Sequence, residues 1–409
     1  MDDHKPRNLK DMLAETKDSC ELMVDLAYAA LFFGDDDMAD EVLELETDMS
    51  DLVHEMRAVC VMAARSPRDA DQMSSVLHLV SAIERMANAA VDVAKIVTHK
   101  LGIPTGLVAD LAAAREISHR VRVREQSQLD GRSLEELELS VDTGFRVVAI
   151  RRNREWIADP DDDEVLRAGD VLIASGSAEG IPELRELAGA PEWHVANLEE
   201  QVALTDLDRA VDVLVEMKNT SEAAVALAYS ELLYKDAGLA AEVSALEDRL
   251  DEMREHLELW VLRAAAETID PSQLRGLLHL GASAEEIGDA AQQMVWLVEE
   301  GEELHPVLQA ALGDTDDVVI RMPVAAGSRL DGSVLRTTQL GEDTGFHLLA
   351  LRRAGRYVYR PRAGVRLEAG DELLAHGPWE GRDDLAEQCG YRLVDDEDTG
   401  TFELEPLSA

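Results

Sequence analysis

Six arginines, Arg352, Arg353, Arg356, Arg360, Arg362 and Arg366, fall within one short stretch of a chain whose formal net charge is −45. A guanidinium is a planar fork of donors that suits bidentate contact with phosphate or carboxylate. Earlier in the chain Arg151, Arg152, Arg154 and Arg167 form a thinner version of the same stretch, with Asp161, Asp162 and Asp163 between them. Two chemistries fit: a site for an anionic ligand, or an arginine–carboxylate network at an interface. Tyr357 and Tyr359 stand beside the arginines and suit either stacking on a base or packing into a core. A second pattern is carboxylates four apart: Glu247 with Asp251, and Glu285 with Asp289. Residues four apart share a helix face. Two such pairs on neighbouring helices would offer oxygen ligands to a hard divalent cation or to iron. A solvated acidic helix face carries the same pattern.

Other chemistry finds little support. There is no GxSxG, P-loop or HExxH, so catalysis is not expected. His78 and His279 lack a second His or Cys at ligand spacing, and His54 belongs to an acidic helix surface. Cys20, Cys60 and Cys389 have no CxxC spacing and are expected as buried free thiols of a reducing compartment.

These residues sit in a sequence written twice. Adding 201 to a residue number in the first copy reaches its counterpart in the second. Leu26-Ala27-Tyr28 returns as Leu227-Ala228-Tyr229, Asp142-Thr143-Gly144-Phe145 as Asp343-Thr344-Gly345-Phe346, and Ala168-Gly169-Asp170 as Ala369-Gly370-Asp371. A unit this long is a duplicated module rather than a solenoid repeat, and duplication in one chain predicts a pseudo-two-fold pair.

Each copy divides in two. Residues 8–100 predict three long helices. In the third, Met73, Val76, Leu77, Val80, Ile83, Ala87, Ala90, Ala94 and Val97 recur at three and four, giving one apolar stripe. The first helix is expected to end near Gly34, the second near Ser66-Pro67, with Asp69 capping the third. Asp270-Pro271 gives a stronger start signal in the second copy. From about 118 to 190 short apolar runs alternate with turns: Val121 to Arg124, a short helix at Ser133 to Leu137, Phe145 to Ile150, Val171 to Ile173, and a closing helix before Leu187. The expected fold class is α+β multidomain: two three-helix bundles (residues 1–110 and 200–312) alternating with two small α+β domains (118–190 and 318–405).

Composition sets the surroundings. Asp and Glu number 84 against 39 Lys and Arg, only seven of them Lys, while 46% of residues are hydrophobic. Acid spread along a strongly periodic chain is the pattern of a protein kept soluble in molar salt, which points to an extreme halophile. The charge argues against nucleic-acid binding. No apolar run approaches the ~18 residues of a membrane span, and Met-Asp-Asp-His-Lys is no signal peptide. A cytoplasmic location follows as the expectation, without direct membrane insertion.

The ordered string Leu129-Asp130-Gly131-Arg132-Ser133-Leu134, Phe145 to Arg152, Pro160 and Leu166 to Gly176 resembles the C-terminal, ligand-sensing domain of regulators of potassium conductance, as in Trk-type and Ktr-type uptake regulators. Leu330-Asp331-Gly332, Leu349 to Arg353, Pro361 and Ala369-Gly370-Asp371 repeat it. The helical part resembles half of a PhoU domain, whose second and third helices carry Glu/Asp-x-x-x-Asp pairs. Glu247, Asp251, Glu285 and Asp289 match that pattern, whereas the first copy has Glu46 with Ser50 and Glu84 with Asn88. No GxGxxG follows a strand, so the nucleotide-binding half of the potassium regulators has no counterpart.

The resemblance implies a soluble regulatory subunit controlling a membrane potassium channel or transporter. It implies an anionic ligand such as cyclic di-AMP between paired domains, with Arg352, Arg353, Arg356, Arg360, Arg151 and Arg152 as contacts. It also implies a divalent metal or iron at Glu247, Asp251, Glu285 and Asp289. A homodimer is a further expectation. The alternative is a PhoU-like, metal-binding regulator of phosphate uptake or signalling.

Overall fold

The structure is a computed structural model. It describes residues 8–103, 116–137, 139, 143–152, 155–158, 160, 163–177, 180–191, 205–267, 270–299, 305–312, 315, 317–353, 356–359, 361, 364–396 and 401–407. The chain forms two compact units: Met1–His119, Arg154–Asp159 and His194–Thr315 in one, Arg120–Asn153, Pro160–Trp193 and Asp316–Ala409 in the other.

The helical unit holds both bundles, α1 (Leu9–Phe33), α2 (Asp36–Ala63) and α3 (Pro67–Thr98), then α6 (Asp206–Tyr234), α7 (Ala237–Glu267) and α8 (Arg275–Glu299). Helix α1 stops at Gly34, whose φ of 59° ends the helical path, and Asp35 caps α2 through the amides of Asp37 and Met38. The cap of α3 is Ser66, not Asp69: the Ser66 hydroxyl accepts from the Asp69 amide, while Asp69 accepts from the Arg65 amide. Pro67 takes the first helical position, where a missing N–H costs nothing. In the second copy Asp270 caps a 3₁₀ turn, Pro271–Leu274, that leads into α8.

Helix α3 is buried on more than the one stripe the sequence suggests. Leu79, Ala82, Met86, Ala89, Val93 and Ile96 are buried along with Val76, Val80, Ile83, Ala87, Ala90 and Ala94. The reason is that α3 packs both in its own bundle and against α8 of the second copy. A second link joins α1 and α6. Buried Lys17 binds Glu21 at 2.7 Å and lies over the Tyr229 ring, while its counterpart Lys218 binds Glu222 and lies over Tyr28. Because 17 and 28 in one copy answer 218 and 229 in the other, this exchange is two-fold in pattern. Desolvation is the main reason that both phenols are held above their ordinary pKa, and nearby carboxylates push the same way.

One small sheet fold occurs twice in the chain. In the first copy β1 (Glu116–Arg122), α4 (Leu134–Leu137), β2 (Phe145–Arg152), β3 (Glu155–Ala158), β4 (Val171–Ser177) and α5 (Ile181–Leu187) give a sheet of order β1-β4-β2-β3. After a short helix, α9 (Pro306–Leu312), come β5 (Asp317–Pro323), α10 (Leu340–Thr344), β6 (His347–Arg353), β7 (Arg356–Tyr359), β8 (Glu372–Pro378) and α11 (Arg382–Cys389), in the order β5-β8-β6-β7. A bulge between Val147 and Ala149 recurs between Leu348 and Ala350. The cores match residue for residue: Leu129, Phe145, Ile150, Leu166, Leu172 and Leu184 answer Leu330, Phe346, Leu351, Leu367, Leu373 and Leu385, all buried. A hairpin of β9 (Tyr391–Asp396) and β10 (Thr401–Pro406) ends the described chain, and Tyr391, Leu393 and Leu404 pack on the second core. Cys20, Cys60 and Cys389 are free and buried. Among the described residues no helix is long and apolar enough to cross a membrane.

Candidate functional site

Of the arginine-rich segment, Arg352 and Arg353 lie on β6 and Arg356 on β7, and their work differs. Arg353 sends Nε to Asp371 Oδ1 and Nη2 to Asp371 Oδ2, both at 2.6 Å, and Nη2 also donates to the Arg366 carbonyl at 2.7 Å. Its counterpart Arg152 repeats this on Asp170 at 3.0 and 2.7 Å, donates to the Val165 carbonyl, and adds Glu164 at 2.6 Å. Asp170 and Asp371 are 2% and 1% exposed. Each also accepts a backbone amide across its turn, from Arg167 and Glu368. Hydrogen bonds donated to Asp170 and Asp371, set against burial, hold the two guanidinium pKa values above the ordinary arginine value. The Gly-Asp of the repeated Ala-Gly-Asp turn is thus the anchor of an ion pair whose carboxylate is buried. Arg152 and Arg353 are committed to it, which narrows the set of arginines able to meet a ligand.

Arg352 is as exposed as Arg353, but its carboxylate partner is not buried. It donates to Glu372 at 3.1 Å, and Glu372 also lies 3.7 Å from Arg321. In the first copy Arg151 stands opposite Val171, where Arg352 stands opposite Glu372. Arg356 pairs in register with Arg353 on β7. The side chains of Arg356, Tyr357 and Tyr359, and all of Arg154, Arg360 and Arg362, lie outside the described residues. The two sheet domains meet at Gly144, where a Cβ would come within 2.7 Å of the Gly341 carbonyl oxygen. Close approach there requires glycine.

In the helical unit, α7 and α8 do bring the four carboxylates into one neighbourhood. Glu247 lies within hydrogen-bonding reach of Asp289 and accepts from Gln292 at 2.9 Å. Glu285 feels the charges of Asp289 and Asp251. Two of the four already have cations. Arg254 holds Glu285 at 2.9 Å, and Arg85, from α3 of the other copy, holds Asp289 at 2.8 Å. Among the described residues no three His, Cys, Asp or Glu side chains converge as metal ligands. The donor set therefore does not fit a metal ion: guanidinium groups stand against the oxygens such an ion would take. The first copy, with Ser50 and Asn88, has Glu84 held by Arg57. His78 packs its ring against Trp296, 5.6 Å between centroids, and His54 is exposed.

Burial, then the fields of Asp251, Asp289 and Asp248, raises the pKa of Glu247 above the ordinary carboxylate value. A carboxyl raised in the folded state stabilises fully below its unfolded pKa, and that contribution is lost as pH rises through the folded value. At neutral pH the Glu247 charge is a net cost. Glu247→Gln keeps the acceptor for Gln292 and is expected to melt above the wild type at pH 7. The gap should close as the buffer is acidified through the carboxylate range, as thermal unfolding at several pH values would show.

Arg85 was not among the sequence candidates, because its partners lie 201 or more residues away. The signal was there in the repeat: Arg85 answers Glu286, a reversal of charge at equivalent positions.

Family comparison matches residues 13–97 and 214–298 to the PhoU domain and residues 119–189 and 319–390 to the TrkA-C domain. Among solved structures, PhoU from Pseudomonas aeruginosa is similar at 15% identity, covering 72% of this chain and 96% of that one, with a TM-score of 0.38. The GsuK RCK domain is similar at 13% identity over 78% of each chain, TM-score 0.19. The GsuK channel bound to NAD is similar at 12% identity over 78% of this chain and 65% of that one, TM-score 0.18. Comparison with curated proteins by sequence finds no match.

Proposed function

From a chain that carries two PhoU domains and two TrkA-C domains in alternation, we propose a cytoplasmic regulatory subunit, not an enzyme, that sets the activity of a membrane potassium channel or transporter in a cell with a salty interior. The observation that carries this reading is the pairing of both TrkA-C domains within one compact unit, with the arginine-rich strand repeated in each. A ligand that prefers one arrangement of the pair shifts the population toward it, and the bundles carry the response to the transporter.

The ligand is an anionic nucleotide, with cyclic di-AMP the leading candidate. Arg352, Arg356, Arg360 and Arg151 are its phosphate contacts. Arg353 and Arg152 support them by fixing the turn beside them. Only short, charge-assisted contacts keep strength where salt screens over ~3 Å.

Titration calorimetry in molar potassium chloride tests this. Cyclic di-AMP is expected to release heat and to raise the melting temperature of the sheet unit. Arg352→Ala should weaken binding about tenfold or more, in line with the ~1.5–3 kcal/mol of a charged hydrogen bond. No heat and no thermal shift with the wild type would end the ligand assignment.

A further inference from the structure

Arg85 lies on α3 and reaches across to α8 with all three guanidinium nitrogens. Nε donates to Glu286 at 2.7 Å, Nη2 to Asp289 at 2.8 Å, and Nη1 to the Gln293 side-chain oxygen at 3.2 Å. Desolvation works against its charge, and the hydrogen bonds and fields of Glu286 and Asp289 more than offset that. Both contacting carboxylates are part-buried and sit on the face of α8 that meets α3. Positions 85 and 286 are equivalent in the repeat, so they face each other across the two-fold pattern relating the bundles. Such a position meets itself in a true homodimer. Here it has diverged to opposite charges.

We propose that Arg85 is the resident cation of the second copy's carboxylate cluster, taking the role a metal ion would have there. It joins the two bundles without metal, and it makes the pairing selective for unlike copies. Two second-copy bundles would set Glu286 against Glu286 and Asp289. Two first-copy bundles would set Arg85 against Arg85 and Asn88, with Asp92 alone to offset the repulsion. Only the mixed pair is complementary. The contacts are short enough to act inside the ~3 Å screening length of molar salt. This assignment is independent of the ligand proposed for the sheet unit.

The test uses the full chain in molar potassium chloride. Wild-type protein is expected to melt at the same temperature with EDTA or with added Mn²⁺, and to retain no stoichiometric Mn²⁺ in equilibrium dialysis. Arg85→Glu should lower the melting temperature, and Arg85→Glu with Glu286→Arg should recover much of the loss. Arg85→Gln, which is milder and serves if the reversal does not fold, should lower it less. It should also bind Mn²⁺ at least about tenfold tighter than wild type, a factor that ~1.4 kcal/mol represents, with Mn²⁺ restoring part of the lost stability. Stoichiometric Mn²⁺ on the wild type, lost with Asp289→Ala and needed for its full melting temperature, would overturn the assignment. So would a double reversal no more stable than Arg85→Glu alone.

Discussion

Arg353→Ala is expected to cost the second sheet domain about 1–3 kcal/mol, the usual loss when a buried acceptor is stripped of its hydrogen-bond partners. The carboxylate left behind, Asp371, is 1% exposed. It would keep the Glu368 amide as donor but lose both guanidinium contacts, and the Arg366 carbonyl would lose its donor as well. Arg152→Ala should do the same to the first domain through Asp170. Adding Asp371→Asn to Arg353→Ala removes the stranded charge and should return part of the loss. Hydrogen exchange of β8 amides, read without ligand, localises the effect to the sheet. By contrast Arg352→Ala leaves behind Glu372, a carboxylate that still reaches solvent, and about 0.2–1 kcal/mol is the expected scale. If Arg353→Ala melts no lower than Arg352→Ala, the pair with the buried carboxylate is not what holds the turn.

Gly381→Ala is expected to be nearly as damaging. A Cβ there would lie 1.9 Å from the Thr344 carbonyl oxygen and 3.5 Å from the Phe346 ring; at Gly180 the matching distances are 1.8 Å to Thr143 and 3.4 Å to Phe145. The obstacle is backbone and has little room to yield. The Thr344 hydroxyl donates to the Leu340 carbonyl at 2.6 Å and accepts from the Phe346 amide at 3.1 Å. Overpacking of this kind costs about 1–3 kcal/mol and occasionally more, and the backbone clash puts these sites at the upper end. Gly364→Ala is the control: no atom lies within 4 Å of its Cβ. There, a smaller unfolded-state entropy should leave the protein unchanged or slightly more stable. Melting curves of the three variants that do not separate Gly381 and Gly180 from Gly364 would show that the threonine carbonyls move aside.

The repeat made much of the fold legible. An ungapped offset of 201 required each element to recur, and the bulge at Val147/Ala149 and Leu348/Ala350 shows that even an irregularity does so. Helix ends were readable from Gly34 and Asp270-Pro271 because those residues act locally. Ser66 and Asp69 both fit the local cap signal, and the structure separates them: the Ser66 hydroxyl takes the Asp69 amide inside the first turn, while the Asp69 carboxylate takes the Arg65 amide before it. The second buried face of α3 was hidden because its partner is a helix of the other copy, and a single-stripe reading assumes one neighbour. The arginine concentration was legible as composition, but its division of labour was not. Arg152 and Arg353 differ from Arg151 and Arg352 by one position on a strand, which turns them toward the buried Asp170 and Asp371. Spacing alone puts the acid pairs on α7 and α8, but the cations that meet them, Arg254 and Arg85, come from a neighbouring turn and from a distant helix.

The chain alternates bundle and sheet, but the compact units gather like with like. This has a consequence for synthesis. When the ribosome has delivered the first copy, each unit is only half made, and α3 carries an apolar face, including Ala89, Val93 and Ile96, whose cover has not yet been translated. At about 5–20 residues per second, the wait for α8 is on the order of ten seconds or more. Until then the nascent first copy exposes apolar surface that the finished protein buries. By the same connectivity, two separately expressed copies would have to build both units together or neither, so that one half appears as an obligate folding partner of the other.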